Sequence, residues 1–217
     1  MVEPRRTYHH GELREALIRT GLDLAREGGP EAVVLREAAR RQAVSATAAY
    51  RHFSARSDLL DAVRERATRL LGASMARARD AARRDVPPGR NAPLQDLRML
   101  GRAYVEFALA EPGLFRFMAA VPAQFPRPAP KGDDPAGLLG DALDRMVQEG
   151  LLAPADRPGS EIAAWAAVHG LAVLLSDGAL EHVRLGGAPL IEAATNRVLD
   201  VVAYGLLPRS PSSPQAG

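Results

Sequence analysis

The sequence predicts an all-α protein of about nine helices, with a small N-terminal three-helix head carrying a helix-turn-helix and a larger helical body. Two observations set the fold class. Apolar residues recur at spacings of three and four along most of the chain, and no segment alternates cleanly with period two. A proline- and glycine-rich break, Asp85 to Pro93, divides the helices into two groups. At 217 residues and 47% hydrophobic content, the chain can bury a core without a covalent staple.

The first helix is expected from Gly11 to Glu27, with Leu13, Leu17, Thr20, Gly21 and Leu24 on one face and Gly28-Gly29-Pro30 as its stop. Two short helices follow within Val34 to Leu60. One covers Leu35 to Arg41, where Ala38 and Ala39 allow a close crossing and Arg36, Arg40 and Arg41 stay outside. After the turn Gln42-Ala43-Val44, Ser45 sits at an N-cap position and Ala46 to Phe53 continues as the second. Ser57 reads as the cap of a long fourth helix reaching Arg84, with Leu60, Val63, Ala67, Leu70 and Leu71 inward.

In the body, one helix carries Leu94, Leu97, Gly101, Tyr104, Val105 and Ala108, and Glu111-Pro112-Gly113 ends it before a short apolar piece, Leu114 to Val121. Pro122 to Pro135 reads as a loop. Leu138 to Glu149 forms the next helix, Ser160 is expected to cap another, and Pro189 opens the last, with Leu190, Ile191, Ala194, Val198 and Val201 inward. The predicted organisation is residues 1–56 as the helix-turn-helix head, 57–84 as a connecting helix, 85–207 as the helical body, and 208–217 as a disordered tail.

Charge divides along the same line. Residues 1–90 carry 18 Lys and Arg against 12 Asp and Glu, a net +6, whereas residues 91–217 carry 10 against 14, a net −4. A basic head on an acidic body is the electrostatic pattern of a protein whose head meets a polyanion. Cysteine is absent, which excludes disulfides and thiolate metal ligands. The apolar run Ile162 to Leu175 contains His169 and falls short of the roughly 20 residues of a membrane span. It reads as a buried helix, and with no signal-peptide pattern the expected location is the cytoplasm, on the nucleoid.

The residues from Val44 onward carry a specific resemblance. Val44, Ser45, Tyr50, His52 and Phe53 match V-S-x-x-x-x-Y-x-H-F, and Ser54 to Leu60 match S-x-R-S-D-L-L. This segment resembles the DNA-binding domain of the TetR family of bacterial transcriptional regulators. Upstream, Tyr8 to Arg14 (YHHGELR) resembles the N-terminus of one subgroup, and Trp165-Ala166-Ala167-Val168-His169-Gly170 matches the W-x-x-x-H-G signature of that subgroup's C-terminal domain. Ala43 departs from the pattern, since a glycine usually occupies that turn position, and it predicts a turn that tolerates a Cβ or carries mild strain.

The DNA-contacting set is then Arg36, Ser45, Ala46, Thr47, Tyr50, Arg51, His52 and Arg56. Thr47 is the expected base reader, because its methyl and hydroxyl suit a thymine methyl or a base acceptor. Arg36 and Arg56 are expected to clamp phosphates, and the resemblance implies phosphate contacts for Tyr50 and His52, with Phe53 in the core. In the body, resemblance to a ligand-sensing family implies a pocket among Met99, Tyr104, Phe107, Phe115, Met118, Met146, Trp165 and His169 for an apolar or aromatic effector. Trp165 and His169, one turn apart, pair structurally or line that pocket.

The expected partners are a double-stranded, pseudo-palindromic DNA operator, a second copy of the chain and a small-molecule effector, with no membrane. The helices containing Ile162–Leu175 and Pro189–Leu206 look apolar on more sides than one chain can cover, which predicts a four-helix homodimer interface, with Val198 and Leu199 at that interface or in the core. No nucleophile and base, phosphate loop or carboxylate pair stands at usable spacing, so no catalytic residue and no cofactor are expected. The five histidines show no helical zinc pattern, so no metal site is expected either. The result is a ligand-responsive repressor, with an activator or a ligand-independent architectural DNA binder as the alternatives that share the same head.

Overall fold

The computed structural model describes residues 10–85, 89, 91–120 and 134–207; Val86, Pro87, Pro88 and Arg90 of the linker, the loop residues 121–133, the 208–217 tail and Tyr8 and His9 of the YHHGELR match lie outside them. Among the described residues there are ten α-helices and no strand. They are α1 His10–Ala32, α2 Leu35–Arg41, α3 Ala46–Tyr50, α4 Arg56–Asp85, α5 Ala92–Ala110, α6 Pro112–Ala120, α7 Pro135–Gln148, α8 Ser160–Ser176, α9 Glu181–Leu185 and α10 Gly187–Leu206. The helix that the sequence did not announce is α9, whose five residues are too few for a periodic signal.

The chain forms two compact units. The first comprises residues up to Leu70 together with Glu111–Phe125; the second comprises Leu71–Ala110 and the residues from Pro126. The boundary thus falls within α4. Helix α6, which the sequence reading gave to the body, packs on α1 in the first unit. A Cβ on Gly113 would overlap the backbone of Arg26, and Arg26 Nε donates to Glu111 at 2.9 Å. Contact of backbone with backbone is possible there only because position 113 has no side chain.

In the first unit, Leu17, Ile18, Val33, Ala38, Ala49, Leu59, Val63 and Leu114 are essentially sealed. Helix α1 breaks where expected: Gly28 and Gly29 leave helical geometry, Gly29 at φ +66°, before one further turn through Pro30. Gly21 lets α4 lie close, since a Cβ there would meet the Val63 side chain. Helix α4 begins one residue before Ser57, and Asp58 does the capping. Its carboxylate accepts from Ala55 N–H at 3.1 Å and from the Ser54 hydroxyl at 2.5 Å, bonds that hold it below the usual carboxylate range.

In the second unit α5 is central, packed against α7, α8 and α10. Leu97, Leu143, Met146, Leu151 and Leu152 form one core cluster. The second unit also buries a charge: Asp96, 2% exposed, accepts two bonds from Arg83 (2.9 and 2.6 Å) and one from Arg145, tying α4, α5 and α7. Ser160 begins α8 but does not cap it. Gly159 holds the cap position at φ +85°, and the Ser160 hydroxyl donates to the Asp156 carbonyl at 2.6 Å.

Helix α8 corrects the expectation of a buried helix. Ala164, Val168, Leu171, Ala172 and Leu175 are buried, but Ile162, Ala163, Trp165, Ala166 and Leu174 are exposed on the other side. With apolar residues on both sides, the sequence alone could not say which face the chain covers. Helix α10 likewise buries Thr195, Leu199 and Ala203, while Leu190, Val201 and Tyr204, at spacings that place them on one stripe, are exposed. Leu190 and Val201 were expected inward and face outward instead.

Candidate functional site

The turn between α2 and α3 is a helix terminus that reverses the chain. Val44 N–H reaches the Ala39 carbonyl at 3.0 Å and Ala43 N–H the Arg40 carbonyl at 3.1 Å, the paired bonds of a Schellman ending. That ending needs a left-handed residue at its penultimate position, and Ala43 supplies it at φ +53°. The strain anticipated from the missing glycine is therefore present. Ser45 then caps α3 in extended geometry, its hydroxyl accepting from Ala48 N–H at 3.2 Å.

Helix α3 is shorter than expected, ending at Tyr50 with a turn through Arg51 and His52. Ala49 is buried, and Phe53 is 2% exposed with the Arg14 guanidinium 5.2 Å from its ring centroid. Outward, Ser45, Thr47, Tyr50 and Arg51 are exposed, Ala46 and His52 half-buried. The spacing of Thr47, Tyr50 and Arg51 puts all three on one face, opposite Ala49. Exposed Arg36 lies on α2.

Three further arginines of the head are engaged internally. Arg56, expected as a phosphate clamp, donates to the Val33 carbonyl at 2.9 Å and the Pro30 carbonyl at 2.6 Å, so it fastens the α1–α2 connection. Arg40 and Arg41 both bind Glu37, and Arg41 also binds Glu27 at 2.7 Å. The two guanidiniums hold the Glu37 carboxyl down at about 2. Glu37, three and four residues before Arg40 and Arg41, is a signal the sequence carries, whereas the carbonyls that occupy Arg56 and the Glu27 carboxylate that also binds Arg41 come from distant positions that no local pattern marks.

The expected pocket residues divide. Phe115 and Met118 belong to the first unit, and the Thr68 hydroxyl lies 3.9 Å from the Met118 sulfur. Met146 is sealed in the core cluster. Phe107 is buried and Met99 half-buried on α5. Tyr104, Trp165 and His169 do come together: the Tyr104 hydroxyl and His169 Nδ1 are 2.8 Å apart, and the Trp165 and His169 rings stack at 4.7 Å between centroids. Burial pushes the Tyr104 hydroxyl up to about 12 and lowers His169, so both are uncharged at neutral pH.

Beside this cluster, wholly within the second unit, is a cavity of about 40 Å³ lined by Met75, Leu97, Arg98, Leu100, Gly101, Tyr104, Ala164, Trp165, Val168, Leu199 and Val202. Leu199 closes on Gly101, where a Cβ would overlap it. Leu199 is thus core, 4% exposed, one of the two places, interface or core, that the sequence left open for it. The signal for the cavity was Gly101, a glycine inside an apolar helical stripe. No described group of three or more His, Asp or Glu side chains is placed to hold a metal, and no described helix is long and apolar enough to cross a membrane.

Comparison with known proteins agrees with this geometry. Residues 17–63 match the family model described as bacterial regulatory proteins, tetR family, and residues 97–201 match the one described as tetracyclin repressor-like, C-terminal domain. No curated protein matches the chain. Among solved structures, a protein of unknown function from Rhodococcus sp. RHA1 is 28% identical, with a TM-score of 0.71 over 94% of this chain and 100% of that one. A TetR-family transcriptional regulator from Pectobacterium atrosepticum is 18% identical (TM-score 0.58; 94% and 99% covered). A variant of TetR from Acinetobacter baumannii AYE, solved in complex with minocycline, is 21% identical (TM-score 0.58; 92% and 96% covered). The two latter likenesses are of fold.

Proposed function

The chain belongs to the TetR family of bacterial regulatory proteins, and from that premise we propose that it is a repressor that binds a pseudo-palindromic DNA operator as a homodimer and leaves it when a small molecule enters the body. The observation that carries the DNA reading is the outward face of α3. Thr47, Tyr50 and Arg51 are exposed together on a helix whose start is fixed by Ser45 and whose other side is locked by Ala49 and Phe53. Thr47 reads a base edge, whereas Arg36, Arg51, Tyr50 and His52 hold phosphates and set the register. Ser45 and Ala46 bring backbone up to the groove.

A five-residue helix reads few base pairs, so specificity requires two heads. The uncovered apolar faces of α8 and α10 support a second copy as the partner. Between Ile162 and Leu174 on α8 lie Ala163, Ala166 and Gly170, and a Cβ on Gly170 would meet nothing within 4 Å among the described residues. Small residues there suit a close helix from the other copy. Release by a ligand follows if the ligand moves α4, which has residues in both units; typical coupling of about 1 to 3 kcal/mol gives a 5- to 150-fold loss of operator affinity.

The test is selection from a random duplex pool. The proposal expects enrichment of two inverted half-sites with centres about one helical turn, or a multiple of it, apart. Enrichment of a single unsymmetrical site, or of nothing, overturns it. The small size of the cavity is the observation that favours a ligand-independent DNA binder as a second reading; operator affinity unchanged by every body-binding ligand would establish that reading instead.

A further inference from the structure

Resting on the reading that the body senses a small molecule, we propose that the cavity between α5, α8 and α10 takes a neutral, apolar, ring-sized aromatic molecule, which enters by displacing Leu199 from the notch above Gly101. Size comes first. A cavity of about 40 Å³ holds water but no ring, whereas one of about 150 Å³ takes benzene. Leu199 occupies the space that a side chain at 101 would need, so its movement is the step that enlarges the cavity.

Polarity comes next. The walls are Leu97, Leu100, Val168, Leu199 and Val202 with the flat side chain of Trp165. The polar groups nearby are already matched: Tyr104 with His169, and Arg98 with Asp200 of α10. A ligand thus meets no wall group that lacks a hydrogen bond and no unpaired charge. An ionised ligand would lose its hydration without compensation, while a neutral ring exchanges water for apolar contact. Both ring partners behind the wall are held uncharged by burial, so they offer no counter-charge. Displacing Leu199 also shifts α10, the helix that carries the exposed Leu190, Val201 and Tyr204 stripe.

Trp165 is the single tryptophan of the chain, and its fluorescence reports the site directly. The probes are nitrobenzene and 4-nitrobenzoate, quenchers of one ring size and different charge, added to the full DNA-free chain. The proposal expects saturable quenching by nitrobenzene and only linear, collisional quenching by 4-nitrobenzoate. Leu199→Ala should tighten nitrobenzene binding at least tenfold, and Val202→Phe should weaken it at least tenfold at unchanged helical circular dichroism. Val202 is half-buried, so the second variant serves if the first does not fold. Linear quenching by both probes, equal affinity for both, or no response to Val202→Phe overturns the proposal. Saturable binding that leaves operator affinity unchanged supports this site and overturns its role as the switch; loss of the site leaves the DNA reading intact.

Discussion

The head and the body both expose side chains on short stretches of helix, but the chemistry of what they expose is opposite. On α3 the exposed side chains are Ser45, Thr47, Tyr50 and Arg51, polar or polar-tipped groups that water satisfies well. On α8 and α10 they are Ile162, Leu174, Leu190, Val201 and Tyr204. The head is complete as a single chain and presents a wet, basic surface suited to a polyanion. The body leaves apolar area uncovered, which suits a partner of its own kind. The difference shows that exposure alone identifies no site; the cost of leaving the exposed group in water does.

Glycines sharpen this contrast, and the largest effect is expected from them. Gly113→Val places a branched side chain against the Arg26 backbone, which cannot yield as a side chain can, and should destabilise the first unit by about 3 kcal/mol in urea unfolding. Gly170→Ala meets nothing among the described residues and should raise monomer stability by up to about 1 kcal/mol through helix propensity, while weakening the dimer. Equal behaviour of the two variants would remove the distinction between a face that is packed and one that awaits a partner.

On the head, Thr47→Ala should lose roughly 1 to 3 kcal/mol of discrimination at one base pair per half-site, whereas Arg36→Ala should weaken all duplexes alike and lower the salt slope by about 1. An Arg56→Ala change, by contrast, should lower stability and leave the salt slope nearly untouched, because its guanidinium serves the Pro30 and Val33 carbonyls. A large drop in salt slope for Arg56→Ala would restore it as a clamp.

The elements were legible where periodicity and punctuation coincide. Helix α2 lies where its sequence placed it, the Gly28-Gly29 break follows from two residues without a Cβ, and the family resemblance rested on Ser45, Tyr50, His52 and Phe53, whose types are fixed by local geometry. What escaped depends on partners distant in sequence. The occupation of Arg56 by carbonyls at 30 and 33, the packing of Gly113 on Arg26, and the inward Leu199 set against the outward Val201 are all decided by tertiary contact. Within α8 the apolar content hid the face, since residues of both sides are hydrophobic. The pocket expectation gathered aromatic and methionine side chains of the body by type alone, and core packing accounts for Met146 while Phe115 and Met118 lie in the other unit.

A smaller effect is expected at the turn. Ala43→Gly removes the left-handed strain at φ +53° and should stabilise the head by up to about 1 kcal/mol, offset in part by the greater freedom of glycine in the unfolded chain. A lower melting temperature for this variant would show that the alanine fits its turn without strain. The smallest effect is with pH. Because burial lowers His169 below its unfolded value of 6.5, the folded state binds fewer protons, so stability is full above that pH and declines as pH falls below it. His169→Gln should flatten that decline without altering stability at pH 8 by a comparable amount.

Val201→Asp tests most directly whether one chain is half of a reader. The aspartate sits on the exposed stripe of α10, harmless to the monomer and costly in an apolar interface. Affinity should be measured by anisotropy for a duplex with both half-sites and for one with a single half-site, at one salt concentration, for the wild type and the variant. The predicted result is equal affinity for the single half-site and at least a hundredfold loss by the variant on the full operator. Wild-type affinity of Val201→Asp for the full operator would contradict the claim.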